Sequence, residues 1–548
     1  MAGGLLNLIS QGNNNVFLTG NPTKTFFKVT YAKHTNFGLQ KFRIDYDGLR
    51  DLRLTEPSTF QFKMPRYAEL LMDTYIVINL PMIWSPIYNP NPNNAYQWAP
   101  YDFRWIREIG TNMISEILIT CGSQTIQKYS GEYLRAMVER DFSAEKKDLF
   151  DKMTGNTQDI YDPSNAFSRQ NTYPSAYYQG NGLTAEPSIR GRQLFIPINT
   201  WFTMDSRCAF PMVALQYNEL NISVTFRPIQ ELFQVRDVAD SINKFPYIQP
   251  DFNRPEFAMY QFLQTPPPDL TVPNSWPITN NTWNADIHLL STYCFLTPEE
   301  SRKFAAEDQV YLVKDVFEYT FSNVTGSKKV KLTSSGMISS WMMYLQRNDV
   351  NMRNEWSNYT NWPYHNLPVD IQMAPIFSPD GLNGPAANPS NASQVSTGIY
   401  VSGPLAPQNQ KEILETMAIV LNGDYRENVL EAGIYNYVEK YVRTKGSAKE
   451  GLYCYNFCLT TDPCEYQPSG AINLSKFRTV ELEITTYVPP YDTQNVEYNI
   501  LVDGAGNPIG TSKSNWQLYE YNYNIKVFEE RYNILSFVGG NCGMLYAR

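Results

Sequence analysis

The chain has three histidines, His34, His288 and His365, far apart in sequence. General acid–base catalysis uses histidine more than any other side chain, so an enzyme built on imidazole has few options here. HExxH, GxSxG and a Walker A loop are all absent. Paired carboxylates could still cleave a glycosidic bond. Glu481 and Glu483 share one face of an alternating segment, but that is the polar face, where solvated charge is the ordinary reading. Cys454, Cys458 and Cys464 form C-x3-C-x5-C. Zinc sites use tighter pairs, and no fourth ligand is evident nearby, so structural thiols are expected, with no metal and no cofactor. Gly504 to Gly510, GAGNPIG, has the wrong spacing for a dinucleotide loop and no helix after it. Asp503–Gly504 reads instead as a turn between strands.

N-x-[ST] occurs at Asn221, Asn280, Asn323, Asn358, Asn391 and Asn473. Asn280, Asn358 and Asn391 are candidate glycosylation sites, with Asn391 expected to be the most accessible. The opening MAGGLLNLIS lacks a basic n-region, so no secretory signal is expected. No apolar run reaches the ~18 residues of a membrane-spanning helix. The seven cysteines are odd in number and scattered, which suits buried free thiols in a reducing compartment.

The elements that must position these residues are mostly strands. Aromatic residues reach 14% and prolines number 36, a composition suited to pleated surfaces joined by long turns. In Leu220 to Arg227, LNISVTFR, apolar and polar residues alternate strictly, as in a half-buried antiparallel strand. Val480 to Thr485, VELEIT, repeats the pattern in the second half. Tyr75 to Leu80, YIVINL, is apolar throughout and reads as a strand covered on both faces. Two segments read as helices. Glu132 to Met153 places Leu134, Val138, Leu149 and Met153 on one face and stops near Gly155. Thr297 to Val316 opens TPEE, with Thr297 as cap and Pro298 in the first turn.

At 548 residues the chain exceeds one ordinary domain. Residues 241–279 carry Pro246, Pro250, Pro255, Pro266–Pro268, Pro273 and Pro277, and read as a stiff linker. The expected division is an arm at 1–24, a first domain at 25–240, the linker, and a second domain at 280–548. Long irregular stretches fall at 86–100, 161–187 and 363–407. Loops of this length need a role, and a β-sandwich gathers them at its ends. The net charge of −9 gives no basic footprint for nucleic acid. Residues 1–66 nevertheless hold nine Lys/Arg against four Asp/Glu, a basic segment on an acidic body.

Several words of the sequence carry a resemblance. GGLLNLIS, NVFLTGNP (Asn15 to Pro22) and TFFKVTYAKHTNF (Thr25 to Phe37) resemble the start of the major capsid proteins of nucleocytoplasmic large DNA viruses. LFIPINTWF, FPMVALQYNELNISVTFR, YCFLTPEESRKFAAEDQVYLVKDV, NEWSNYTNW, EYQPSGAINLSKF and YNILSFVGGNCGMLYA resemble later segments of that family, in order.

The resemblance implies an all-β chain of two consecutive eight-stranded jelly-roll sandwiches with long loops and a few short inserted helices. It implies a homotrimer of pseudo-hexagonal outline, tiling an icosahedral shell around an internal membrane. Roll bases would face inward, and loops such as 363–407 would form the outer crown. Implied partners are further copies of the chain, neighbouring trimers, and minor capsid and penton proteins. The basic N-terminal region would contact the inner membrane or minor proteins. Its place would be the virion capsid, assembled in the host cytoplasm. A jelly-roll sugar-binding or spike module and a glycoside-processing enzyme are the competing readings from the residues alone.

Overall fold

The computed structural model describes residues 2–85, 101–169, 172–174, 176, 186–237, 246–266, 276–365, 377–378, 395–396, 410–465, 467–489, 499–502, 508–512 and 520–546. Roll one uses β1 (Phe37–Asp45), β2 (Ser58–Lys63), β3 (Leu70–Leu80), β4 (Ile114–Cys121), β5 (Gln124–Tyr129), β6 (Arg192–Pro197), β7 (Leu220–Phe226) and β8 (His288–Leu296). One sheet runs β1-β8-β3-β6 and the facing sheet β2-β7-β4-β5. Roll two uses β9 (Gln309–Phe321), β10 (Ser327–Leu332), β11 (Met337–Arg347), β12 (Leu414–Leu421), β13 (Asp424–Glu431), β14 (Leu452–Asn456), β15 (Val480–Thr486) and β16 (Tyr523–Val538). Its sheets run β9-β16-β11-β14 and β10-β15-β12-β13. In both rolls the first, eighth, third and sixth strands face the second, seventh, fourth and fifth. This is the order of a jelly roll, used twice.

The alternating segments sit where their pattern requires. In β7, Leu220, Ile222, Val224 and Phe226 are sealed, and the residues between them are half-exposed. β15 repeats this with Val480, Leu482 and Ile484. Both are the seventh strand of their roll, flanked on each side within their sheet. Each buried aliphatic of this kind stabilises by about 1.5–3 kcal/mol relative to an exposed one. Tyr75 to Leu80 lies inside β3, between β8 and β6.

Several expectations need correction. The proline-rich segment is not a spacer between domains. It connects the seventh and eighth strands of roll one, and its Phe257, Met259 and Phe262 are sealed in that roll's core. β8, expected in the second domain from residue 280 onward, pairs with both β1 and β3 and so belongs to roll one. The rolls are joined after Leu296 by a short helix instead. That helix, Pro298–Ala306, is capped by Thr297, whose hydroxyl accepts from the Glu300 amide at 3.4 Å. It stops well before Val316, because the β-branched and aromatic run from Gln309 pairs along β16 as β9. The charged segment 132–153 is two helices. α1 (Gly131–Asp141) ends where Phe142 turns extended, and Ser143 caps α2 (Ala144–Thr154). Leu149, expected on the buried face, is exposed. Gly155 closes α2 with φ of 79°, as its position suggested.

Strand direction alternates along each roll, so the connections fall at two opposite ends. The turns after the second, fourth and sixth strands mark the base. There the Tyr293 hydroxyl donates to the Pro65 carbonyl at 2.7 Å, and the Gln216 amide donates to Gly540 at 2.9 Å. The connections after the third, fifth and seventh strands leave from the other end. The N-terminal arm runs to Asn36, past its expected end at residue 24, and enters β1 at the base.

Candidate functional site

α1 carries the seam between the rolls. It lies between the fifth and sixth strands of roll one, and all 11 of its residues are buried. Sealing Glu132, Arg135, Glu139, Arg140 and Asp141 from water requires a partner for each charge. Roll two supplies several. Arg140 donates to Glu530 of β16 at 2.8 Å and to the Ser340 hydroxyl of β11 at 3.1 Å, and pairs with Asp141 at 2.7 Å. Tyr133 and Ser340 donate to the two Glu530 oxygens at 2.8 and 2.7 Å. Glu132 gathers Arg227, Lys526 and the Tyr344 hydroxyl. Arg135 pairs with Glu108, Glu139 and Asp151, and Lys449 of roll two reaches Glu108 at 3.0 Å.

Burial alone would raise the Glu530 carboxyl. Arg140 and Lys314, with the hydrogen bonds from Ser340 and Arg140, outweigh it and hold the group at about 2. Glu108 is also held at about 2, where Arg135 and Lys449 overcome its burial. Burial pushes Asp141 upward despite Arg140, since two carboxylates share one guanidinium. Around the charges runs an apolar seam. Tyr133 meets Phe528 at 5.8 Å, Phe210 meets Phe537 edge-on at 5.2 Å, and Met342, Leu452, Cys454 and Phe528 of roll two join the core cluster of roll one. The outward face of roll two's first sheet is therefore continuous with the core of roll one, while roll two keeps a separate core around Trp341, Ile419 and Leu482.

The residues considered for chemistry are scattered. Glu481 and Glu483 are half-exposed on β15, opposite Lys331 and Lys329, and Glu483 accepts from Tyr425 at 3.1 Å. They form a charge ladder between strands. Cys454 is sealed on β14, and burial pushes its thiol up to about 11; burial also raises Cys458 and Cys464. Among the described residues no group of three or more His, Cys, Asp or Glu could hold a metal ion. His34 lies in the exposed arm and His288 on β8 beside Asp286. His365 is pushed down to about 4 by burial, then by Arg107 and Lys449. Of the GAGNPIG segment, residues 504–507 lie outside the described residues, and Pro508–Ser512 pairs with Asn499–Val502 as a hairpin.

Asn280 is exposed, its Oδ1 accepting from the Thr282 amide and hydroxyl. Asn358 is sealed, with Nδ2 donating to Trp362 at 2.8 Å and Oδ1 accepting from Thr360. A glycan on Asn358 is incompatible with this fold. Asn391, and nearly all of 363–407, lie outside the described residues. A cavity of about 70 Å³ opens on the seam beside Gln127, Thr200, Trp201, Lys314 and Glu530. A larger one, about 390 Å³, is lined by Trp84, Tyr260, Trp283 and Asn280 among others, with no carboxylate, histidine or cysteine.

Sequence reasoning did not single out Glu132, Arg140 or Glu530. The available signal was a helix carrying five charges yet also Tyr133, Leu134, Met137 and Val138, with too little purely polar surface to face water.

The family models match both rolls. The model described as "Major capsid protein N-terminus" matches residues 25–262, and "Large eukaryotic DNA virus major capsid protein" matches residues 300–543. The chain belongs to the major capsid proteins of large eukaryotic DNA viruses. It is 24% identical to the major capsid protein of Phaeocystis pouchetii virus and 22% identical to that of Paramecium bursaria Chlorella virus 1, in each case across 100% of both chains. The PBCV-1 capsid quasi-atomic model shares the fold with a TM-score of 0.57 at 16% identity, covering 96% of this chain and 100% of that one. The Faustovirus major capsid protein does so with a TM-score of 0.60 at 13% identity, covering 96% and 94%. Members of this family are structural, and the chain is a shell protein rather than an enzyme. The double jelly roll is the family's fold.

Proposed function

We propose that three copies of this chain close into a trimer of pseudo-hexagonal outline, and that such trimers tile the icosahedral faces of the shell around an internal membrane. The observation that carries this reading is the strand order repeated in both rolls, which are joined by a buried seam of charged and apolar residues. Two like units per chain turn three-fold symmetry into six similar sides, which suit a hexagonal lattice. Minor capsid and penton proteins would fill the gaps between trimers, with assembly in the host cytoplasm and no direct contact with nucleic acid.

The arm supports an inward-facing partner. From Ala2 to Asn36 nearly every residue is exposed, including Phe17 at 90%, Leu18 at 92% and Phe27 at 97%. Such side chains do not stay in water in an assembled particle. The arm carries Lys24, Lys28 and Lys33 without an acidic residue, and leaves from the base, opposite the long loops. An anionic inner membrane, or the minor proteins beneath the shell, fits that chemistry. The strands flanking 348–413, β11 and β12, end at the far side, which suits an outer crown for 363–407.

Electron microscopy of the purified protein tests the reading. Three-fold averages with a six-sided outline are expected; single two-lobed particles would refute it. Deletion of residues 2–24 is expected to leave this outline intact and to impair assembly of the shell. Normal shells from the deleted chain would remove the arm's role.

A further inference from the structure

The seam inside one chain has a counterpart with its two halves left apart. In roll one, α1 leaves the fifth strand and covers the outward face of roll two's β9-β16-β11-β14 sheet. The row Glu318–Phe528–Met342–Cys454 lies beneath it, and Phe528, Met342 and Cys454 are sealed. Roll two has a helix at the same place in its own fold, between β13 and β14. It begins with the π-helical turn Ile434–Val438 and continues as Glu439–Arg443. Here Tyr437, Val438, Tyr441 and Val442 form an i, i+4 stripe that faces solvent, with Tyr441 90% exposed. Tyr435 and Asn436, on the other side, are buried.

Roll one has the matching sheet face. The row Ile44–Leu289–Ile76–Ile196 points into its core. The next row over, Arg43–Leu290–Tyr75–Pro197, points outward, followed by Asp45–His288–Val77–Phe195. Leu290, Tyr75 and Phe195 are half-buried. The helix Pro298–Ala306 covers only the lower part of this face, where Phe304 packs on Leu70 and Cys294. The helix of roll two does not reach it within the chain, since its own stripe stays in solvent.

We propose that the Tyr437–Val442 stripe of one copy packs on the outward Leu290–Tyr75–Phe195 face of a second copy, repeating between chains the seam that α1 makes within one. The occupant is a second copy because both halves are present on every chain, correspond strand for strand to an interface already made, and cannot meet within one molecule. A contact of this kind is head-to-tail, so it closes only as a ring. With two rolls per chain, three copies give six similar seams. The inference rests on the trimer reading and adds its contact residues.

The test is the solution mass of the double variant Val438→Glu and Tyr441→Glu beside the wild type. These side chains are exposed in the single chain, so the variant's circular dichroism is expected to be unchanged. Association is expected to weaken by about 30-fold or more, the effect of losing a hot-spot residue. A wild-type trimer that persists in the variant would overturn this contact and leave the trimer reading intact. A wild-type monomer would remove both. Should the double variant fail to fold, Tyr441→Cys gives a second readout. In the assembled protein its thiol is expected to resist a bulky maleimide, and rapid labelling would overturn the proposal.

Discussion

Arg140 and Glu530 meet at 2.8 Å with both side chains sealed from solvent, although 390 residues separate them in sequence. One stands on a helix of roll one and the other on the last strand of roll two, so the pair closes only when both rolls are folded and docked. Removing one partner of a buried pair leaves an uncompensated charge and costs about 3–5 kcal/mol, whereas replacing both with apolar groups of similar volume costs far less. Arg140→Met and Glu530→Leu are each expected to lower stability by that amount in chemical denaturation. The double variant is expected to lose less than the sum of the two, although sealed Asp141 is still left without its guanidinium. Additive losses would show that the two residues do not act as a pair.

The carboxyls at the seam set an acid limit. Glu530 and Glu108 have folded values near 2, below their ordinary value of 4.5. A lowered folded value gives stability that is complete above about 4.5 and is lost as pH falls toward 2. The melting temperature is therefore expected to drop between pH 5 and pH 2.5. Glu530→Gln should start lower and flatten that dependence. A melting curve indifferent to pH in this window would contradict the assignment.

Phe528 packs against Tyr133 across the seam and is fully buried. Phe528→Ala is expected to cost about 3–5 kcal/mol. The loss falls on docking more than on either roll, so calorimetry should resolve two transitions in the variant where the wild type shows one. A single transition at the wild-type temperature would mean that the rolls are held together elsewhere.

Of the two candidate glycosylation sites within the described residues, only Asn280 offers an exposed amide. Peptide mass spectrometry of protein from virions is expected to find any glycan of this pair on Asn280, with Asn358 unmodified. A glycan on Asn358 would require a different fold around Trp362.

Much of the fold was readable where one physical pattern acted alone. Leu220 to Arg227 and Val480 to Thr485 alternate because one face of each meets a core and the other does not, and both are strands. Thr297 and Gly155 end their helices as local backbone chemistry requires. The misreadings came where tertiary pairing decided. Val310 to Val316 could follow a well-capped helix, yet it lines up along β16. The prolines of 241–279 looked like a spacer because proline stiffens any extended chain, and nothing local shows that Phe257 and Phe262 pack into roll one. The seam was hidden for a related reason. Arg140 and Glu530 are ordinary surface residues until a partner 390 positions away removes the water from both.

The central claim is that this double jelly roll closes into a trimer. Light scattering on the purified chain after size-exclusion chromatography measures that directly. The expected result is a single species with three times the mass of one chain, stable on dilution. A monomer at the same concentrations, with both rolls folded, would contradict it.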